Sequence, residues 1–564
     1  MYTASSAILD TLTEAGVEYL FANFGSDHPG LIEAIAAARA ANRPCPKVIT
    51  SPTEMVAMSA AHGYAQASGR AQAVLVHVDC GTQALGGAVH NAAKGRVPVF
   101  ILAGLSPATQ EGEARGSRNE FIQWIQDVRD QRGLVRGYVR YENEIRVGAN
   151  ARQIVHRALQ FANSEPRGPV YVTAAREVLE SEVSRAVDSR PWPPLTAAAL
   201  SEEVAGEIAT ALANAEHPLI VTSYLGRSTE AVQQLVALAE ELGVGVLESV
   251  PNYMNFPTLH PCYQGVQWNE RRQNEALARA DVVLVLDSDV PWISAVSKPR
   301  DGARIFHVDA DPLKEQMPLW YIGAARQCQA DAAMALRQVR AAAARADAAR
   351  IAGRRERLAA SHTAWQRGVT EREQPRDVLT AEYLVAAIRD AIGEDAIVVS
   401  EAVTNFHVVS QHLRRSRPGT LFSSGGGSLG YNGGAAVGVK LARPDALVVA
   451  ICGDGSYLFS QPSTVHWMAR AYQAPFLHVV LNNGGWRAPR QAVLSVHPDG
   501  IAAKAPKIDI DFPQPPDYAG IAAAAGGAHA ETVRSVAEVS AALERALHAV
   551  RHERRAAVID AHVA

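Results

Sequence analysis

Two short polar clusters, Gly453-Asp454-Gly455-Ser456 and Asn482-Asn483-Gly484-Gly485, each follow an apolar run, and their pairing constrains the fold more than any other feature of the chain. The runs, 446–452 and 476–481, read as buried strands, and the spacing between them holds one helix, 462–472. Strand, loop, helix, strand in that order makes the two strands parallel neighbours. Both clusters then lie at carboxyl ends of strands, where open α/β sheets bind ligands. The glycines beside Asp454 let the backbone approach a bulky anion closely. A carboxylate, an amide oxygen and a bare glycine carbonyl are hard oxygen donors, and these suit Mg²⁺, which shares its shell with phosphate oxygens and water. Asp-Gly by itself is ordinary turn chemistry. The paired spacing is what favours a site for a divalent cation carrying a diphosphate.

The same alternation of helix and apolar strand fills 4–175, with strands read at 19–24, 47–50, 73–78, 97–103 and 168–173, and predicts a mostly parallel sheet covered on both faces. A proline-rich linker follows at 190–195. A second α/β unit has strands at 218–222, 243–248, 281–287 and 303–309, and no Gly-x-Gly-x-x-Gly after a strand, so a dinucleotide reading has little support. The stretch 336–373 is rich in Ala and Arg and poor in large apolar residues, the composition of a solvated helical tether. Further strands are read at 396–400, 420–422, 446–452, 476–481 and 557–561. At 564 residues the chain is too long for one core. The expected fold class is α/β, with three doubly wound, mostly parallel-sheet domains at 1–185, 197–335 and 379–564 and the tether at 336–378.

Lys plus Arg number 54 against 58 Asp plus Glu, and no long basic run is present, which argues against nucleic acid as a partner. No apolar stretch is long enough to span a bilayer, and the first 16 residues have no basic leader character, so no membrane partner and a cytoplasmic location are expected. Cys45, Cys80, Cys262, Cys328 and Cys452 show neither metal spacing nor an even count and read as free thiols.

The paired motif resembles the thiamine-diphosphate motif of the enzymes that include acetolactate synthase, pyruvate decarboxylase and benzoylformate decarboxylase. The resemblance covers nearly the whole chain, with Phe256-Pro257-Thr258-Leu259-His260-Pro261 and His307-Val308-Asp309-Ala310-Asp311-Pro312 as counterparts in the middle unit. It implies pyrimidine-binding, central and diphosphate-binding domains, in that order. It also implies thiamine diphosphate and Mg²⁺ as cofactors, with Asp454, the Asn483 side chain and the Gly485 carbonyl as metal ligands and Gly455 and Ser456 beside the diphosphate. In Ser424-Gly425-Gly426-Gly427-Ser428-Leu429-Gly430-Tyr431, Leu429 matches the apolar wedge that folds the cofactor into a V, and the Gly427 carbonyl the acceptor of its amino group; a glycine-rich turn without a ligand is the plain alternative. In the family one chain holds the pyrimidine and another the diphosphate, which implies a homodimer or homotetramer with sites at the interface. FAD, carried centrally by some members, has no motif in support here.

Glu54 aligns with the family's glutamate that activates the cofactor through a ring nitrogen. Ser51-Pro52-Thr53-Glu54 is equally a capping box, and one carboxyl cannot fill both roles. His77, in Val76-His77-Val78-Asp79-Cys80-Gly81-Thr82, resembles the histidine loop of benzoylformate decarboxylase, where an imidazole moves protons at the reacting carbon; a structural histidine is the bland reading. Gln123 falls near a glutamine that contacts the adduct in acetolactate synthases, but equally suits a helix surface. Asp27 or His28, in Gly25-Ser26-Asp27-His28-Pro29-Gly30, meets substrate or builds the turn. Arg487 binds a substrate carboxylate or stays exposed. The first unit has no His-His pair, and proline stands at 489, about where pyruvate decarboxylases carry a glutamate, so their acetaldehyde-forming relay is not expected.

The expected activity is carbon–carbon cleavage or formation on a 2-oxo acid or related acyl donor, as in a benzoylformate-decarboxylase-like decarboxylase or carboligase. An acetolactate-synthase-like transferase, a 2-hydroxyacyl-CoA lyase and a non-catalytic cofactor-binding paralogue are the alternatives.

Overall fold

A computed structural model describes residues 1–185, 190–269, 271–343, 347–506 and 508–564. Its strands form three six-stranded sheets, and every strand pair is parallel. The first sheet holds β1 (Tyr19–Ala22), β2 (Lys47–Thr50), β3 (Gln72–Val76), β4 (Val99–Leu105), β5 (Tyr141–Ile145) and β6 (Val170–Ala175), in the order β2-β1-β3-β4-β6-β5. The central sheet holds β7 (Pro218–Thr222), β8 (Gly245–Ser249), β9 (Tyr263–Gln267), β10 (Val282–Leu286), β11 (Arg304–Asp309) and β12 (Arg326–Gln329), in the order β12-β11-β10-β7-β8-β9. The third holds β13 (Ile397–Glu401), β14 (Leu421–Ser423), β15 (Val448–Gly453), β16 (Leu477–Asn482), β17 (His529–Val533) and β18 (Ala557–His562), in the order β14-β13-β15-β16-β18-β17.

Position by position, the first and third sheets share one strand order, so the chain builds the same layered unit twice. The inner strands are apolar along their whole length, as strands covered on both faces must be: β3, β10 and β16 are buried at every residue. Four strands are not read from the sequence, namely β5, β9, β12 and β17. Each lies at a sheet edge, and short, polar segments such as Arg326-Gln327-Cys328-Gln329 carry no apolar run.

Helices join the first and third units directly. Helix Glu54–Ser68 meets helix Tyr431–Ala442, with the His62 and Tyr431 rings 4.8 Å apart and the Tyr431 hydroxyl donating to Gln66 Oε1. The Ala- and Arg-rich stretch contains helix Ala348–Arg372, whose inner face is docked rather than solvated. Arg354, 2 % exposed, donates to the carbonyls of Leu212 (3.1 Å), Leu242 (2.8 Å) and Ala213 (2.8 Å), which satisfies the carboxyl ends of helices Glu202–Asn214 and Thr229–Leu242. No described helix is long and apolar enough to cross a membrane.

Candidate active site

In the third sheet Gly453 pairs with Leu481, which sets Asp454 beside the Asn482-Asn483 turn. Asp454 opens helix Asp454–Phe459 and is buried. Its Oδ1 accepts from the Gly455 amide and its Oδ2 from the Gly485 amide, both at 2.8 Å. Burial still pushes its carboxyl above the ordinary value, so the site gains from a nearby cation. Asn483 Oδ1 is sealed from solvent and has no hydrogen-bond partner. Such an orphan is costly unless something absent from the chain completes it. The Gly485 carbonyl accepts from the Arg487 amide at 3.1 Å and keeps a second lone pair. Only glycine suits position 485: its φ is 145°, and a Cβ there would lie 2.4 Å from the Ile510 carbonyl oxygen.

Leu429, Asp454, Gly455, Ser456, Asn483 and Gly485 together line one cavity of about 280 Å³. Among the described residues no group of three or more His, Cys, Asp or Glu is placed to hold a metal. The donor set here is instead one carboxylate, one amide oxygen and one carbonyl, which fits a hard divalent cation that also takes phosphate oxygens. Gly427 precedes the cavity wall in the turn that carries Leu429, with a φ of 79°. First-unit side chains fasten this turn. Asn91 Nδ2 donates to the Ser428 carbonyl at 2.8 Å, Asn91 Oδ1 accepts from the Ser428 amide at 2.9 Å, and His90 Nε2 lies 2.8 Å from the Gly426 carbonyl oxygen.

Glu401, at the end of β13, was given no role by its sequence surroundings. It accepts from the Gly430 amide (2.6 Å), the Asn432 amide (2.8 Å) and Asn432 Nδ2 (2.6 Å), and so anchors the chain just after Leu429. Burial pushes this carboxyl up to about 7. Arg487 is committed elsewhere. It donates to the Asn483 carbonyl at 3.0 and 2.7 Å and pairs with Asp511 at 2.5 Å, which holds the metal-side turn rather than leaving a guanidinium free for substrate.

The capping box at Glu54 does not form. The helix begins at Glu54, and its cap residue is Thr53, which makes no side-chain cap bond. Ser51 Oγ donates to the Thr53 carbonyl at 2.8 Å instead of accepting from the helix. Glu54 Oε1 accepts from Asn23 Nδ2 at 2.8 Å, so its carboxylate is turned away from the backbone that the alternative capping role would have it meet. Every residue lining the 280 Å³ cavity comes from the third unit, whereas Glu54, His77, His28 and Gln123 belong to the first.

Around His77 the first unit gathers a second cluster. His77 Nδ1 lies 2.5 Å from Asp27 Oδ1, and Nε2 lies 2.8 Å from Gln126 Oε1. The bond to Asp27, above all, lifts the imidazole above its ordinary value. His28 is wholly buried and builds the turn: its Nδ1 accepts from the Gly25 amide at 3.0 Å. Burial keeps it neutral at physiological pH. Gln123 is folded into its own turn, where Oε1 accepts from the Asn119 amide at 2.9 Å and the side chain is 5 % exposed. The glutamine that reaches His77 is Gln126, three residues on, and no sequence signal separates the two.

The central sheet has the doubly wound order whose direction reverses between β7 and β10, the place where such folds seat a nucleotide. Here the chain sets its own ions at the ends of β10 and β11. Arg96 enters from the first unit and binds Asp309 at 2.7 Å and Asp289 at 2.9 Å. Lys314 binds the same two carboxylates at 2.7 and 2.6 Å, and the Tyr224 hydroxyl donates to Asp289. Arg227 bridges Asp287 and Glu165.

Three stretches of the chain match descriptions of one family. Residues 2–133 match "Thiamine pyrophosphate enzyme, N-terminal TPP binding domain", residues 205–339 the central domain, and residues 402–561 the "C-terminal TPP binding domain". The chain is 25% identical to a sulfoacetaldehyde acetyltransferase of Castellaniella defragrans, over 99% of this chain and 92% of the relative. It is 27% identical to a benzoylformate decarboxylase of Pseudomonas aeruginosa, over 90% and 91%. The solved structure of a thiamine diphosphate-dependent 4-hydroxybenzoylformate decarboxylase from Rhodococcus jostii RHA1 superposes with a TM-score of 0.79 at 22% identity, covering 100% of this chain and 99% of that one.

Proposed function

Because this chain belongs to the thiamine pyrophosphate enzyme family, in the group of decarboxylases, acetolactate synthases and acetyltransferases that act on 2-oxo acids, we propose that it cleaves or forms a carbon–carbon bond at the carbonyl carbon of a 2-oxo acid, in the manner of a benzoylformate decarboxylase. The observation that carries the cofactor assignment is the unpartnered Asn483 Oδ1 beside Asp454. Asp454, Asn483 and the Gly485 carbonyl hold Mg²⁺, and Gly455 and Ser456 line the place of the diphosphate. Leu429 supplies the apolar wedge on a turn anchored by Glu401 and Asn91. When bound, thiamine diphosphate supplies the electron sink for the bond that breaks.

The protein manages protons and position. Glu54, which does not cap its helix, would activate the bound cofactor through its pyrimidine ring nitrogen. His77 gives and takes one through Nε2. A carboxylate at position 54 that is not spent on capping its helix, aligned with the family's activating glutamate, favours an enzyme over a cofactor-binding paralogue. The working site lies between two chains, as the family resemblance implies, with Glu54 and His77 of one facing the cavity of the other, and a fully active monomer at micromolar concentration would contradict this. The decarboxylase reading is preferred because His77 stands ready for proton transfer, while Gln123, the residue that favoured an acetolactate-synthase-like transfer, is engaged in its own turn.

The test is carbon dioxide release from a panel of 2-oxo acids with thiamine diphosphate and Mg²⁺, with products identified and Glu54→Gln alongside. The expected result is an aldehyde or a carboligation product from at least one aromatic or branched 2-oxo acid. Deuterium exchange at C2 of bound cofactor should fall by orders of magnitude in Glu54→Gln, with melting temperature unchanged. No release from any acid overturns the decarboxylase reading, and equal exchange in the variant removes Glu54 from the chemistry.

A further inference from the structure

Asp27 is a buried carboxylate, 3 % exposed, with no Lys or Arg among its bonded partners. A carboxylate removed from water must be compensated locally. Oδ1 faces His77 Nδ1 at 2.5 Å, while Oδ2 accepts from the Val78 amide at 3.2 Å and lies 3.1 Å from His28 Nε2. His28 accepts the Gly25 amide at Nδ1, so the proton of its neutral ring sits on Nε2, near Asp27 but not aligned for a hydrogen bond to it. The space is shaped around this pair. A Cβ on Gly104 would lie 1.7 Å from Asp27 Oδ2, and one on Gly25 would lie 2.0 Å from His77 Nδ1. The next residue, Val78, takes a φ of 23°, a conformation that a β-branched side chain adopts only under constraint, and its amide is the one bound to Asp27.

We propose that Asp27 is a positioning residue: it grips the His77 ring at Nδ1 and leaves Nε2, turned toward Gln126, as the nitrogen that gives and takes the proton. This rests on the reading of His77 as the group that moves protons in the proposed reaction. The step is a proton transfer alone. Nε2–H passes to the reacting atom, the ring is left neutral with Nδ1–H still donated to Asp27, and a water later returns the proton. Asp27 does not itself take it up: burial opposes its charge, but the His28 and His77 rings beside it and the Val78 amide outweigh this and hold the carboxyl below its ordinary value. The groups facing His77 from other elements agree with this. Asp79 at the start of the following helix favours the imidazolium. The exposed Cys80 is held a thiol by slight desolvation and by the Asp79 charge beside it, His28 is neutral, Gln126 carries no charge, and desolvation alone opposes.

The test reads imidazole C2 hydrogen exchange at His77 by mass spectrometry from about pH 5 to about pH 9, in cofactor-free wild type, Asp27→Asn and Gly104→Ala. The glycine variant displaces the carboxylate sterically and leaves its chemistry intact, so the test does not depend on Asp27→Asn folding. The wild-type midpoint should lie above that of an ordinary histidine, and each folded variant should bring it down by about one pH unit or more. The pH limit of carbon dioxide release should move with it. A wild-type midpoint at the ordinary value overturns the proposal, as does an unmoved midpoint in either folded variant. A midpoint that moves while the limit of turnover stays also overturns it. Absence of any thiamine-diphosphate-dependent turnover in wild type would instead strike the proposed function, and the midpoints alone would then decide whether Asp27 grips His77.

Discussion

At the carboxyl ends of the third sheet, Asp454 binds two backbone amides, and Asn483 Oδ1 beside it is left with no partner and a cavity in front of it. At the carboxyl ends of the central sheet, Asp289 and Asp309 each bind both Arg96 and Lys314. Both places are crevices that parallel α/β sheets offer to ligands. The difference teaches that topology nominates a site and incomplete polar bonding selects it. The third sheet presents hard oxygens that no side-chain cation among the described residues bonds, whereas the central sheet brings its own cations from another part of the chain.

Removing the carboxylate of the incomplete site should have the largest effect. Asp454→Ala takes away one of three proposed ligands, and thiamine diphosphate affinity in Mg²⁺ should fall at least about a hundredfold. The melting temperature without cofactor should hold or rise, because a buried carboxylate disfavoured by desolvation has gone. Calorimetry with and without Mg²⁺ measures both. Unchanged affinity would mean that the two crevices do not differ in the way described.

In the completed crevice the same kind of deletion should act on stability instead. Arg96→Ala leaves Lys314 as the one cation bridging Asp289 and Asp309 among the described residues, and breaking a buried pair in this way costs about 3–5 kcal/mol. The cations hold Asp309 and Asp289 below the ordinary carboxylate value of 3.8. Groups depressed on folding contribute stability above the unfolded value and lose it as pH falls through the folded one. Wild type should therefore keep this contribution down to about pH 4, and Arg96→Ala should unfold at a higher pH. Asp287, pushed up to about 6 by burial, works in the opposite direction and offsets part of the loss. Urea melts across acidic pH read the difference. Coincident curves would show that the cluster contributes nothing beyond its mutual desolvation.

How much of this was legible in the sequence depends on how far apart the partners lie. Gly453-Asp454-Gly455 and Asn482-Asn483 are local patterns at the ends of apolar runs, and the strands they terminate were read within two residues of their observed ends. Strands β5, β9, β12 and β17 were not, because an edge strand has no need of an unbroken apolar run. The Arg96 to Asp309 pair spans 213 residues and the Asp27 to His77 pair 50, and no periodicity records either. The capping alternative at Glu54 is a different case. Ser51-Pro52-Thr53-Glu54 carries a true local signal for a cap, but Asn23, from the loop after β1, takes the carboxylate and Ser51 turns to the Thr53 carbonyl. Tertiary contacts overrode a correct local preference, at a residue that the family resemblance had already marked for another task.

The smallest effect should come from offering the central crevice a ligand. A dinucleotide such as FAD brings a pyrophosphate, and the strand ends there present Asp287, Asp289 and Asp309. To bind it, Arg96 and Lys314 would have to leave bonds of 2.6–2.9 Å and expose two buried carboxylates to each other as well as to the phosphates. The expected shift in melting temperature with millimolar FAD or ADP is under about 1 °C, against several degrees for thiamine diphosphate with Mg²⁺ at the same concentration. A yellow protein on purification, or stabilisation by FAD equal to that by thiamine diphosphate, would mean that the ion cluster opens, and polar completeness would then fail as the criterion that separates the two crevices. Stabilisation by FAD that appears only in Arg96→Ala would sharpen it instead, since the crevice would then accept a ligand only once the chain's own cation had been removed.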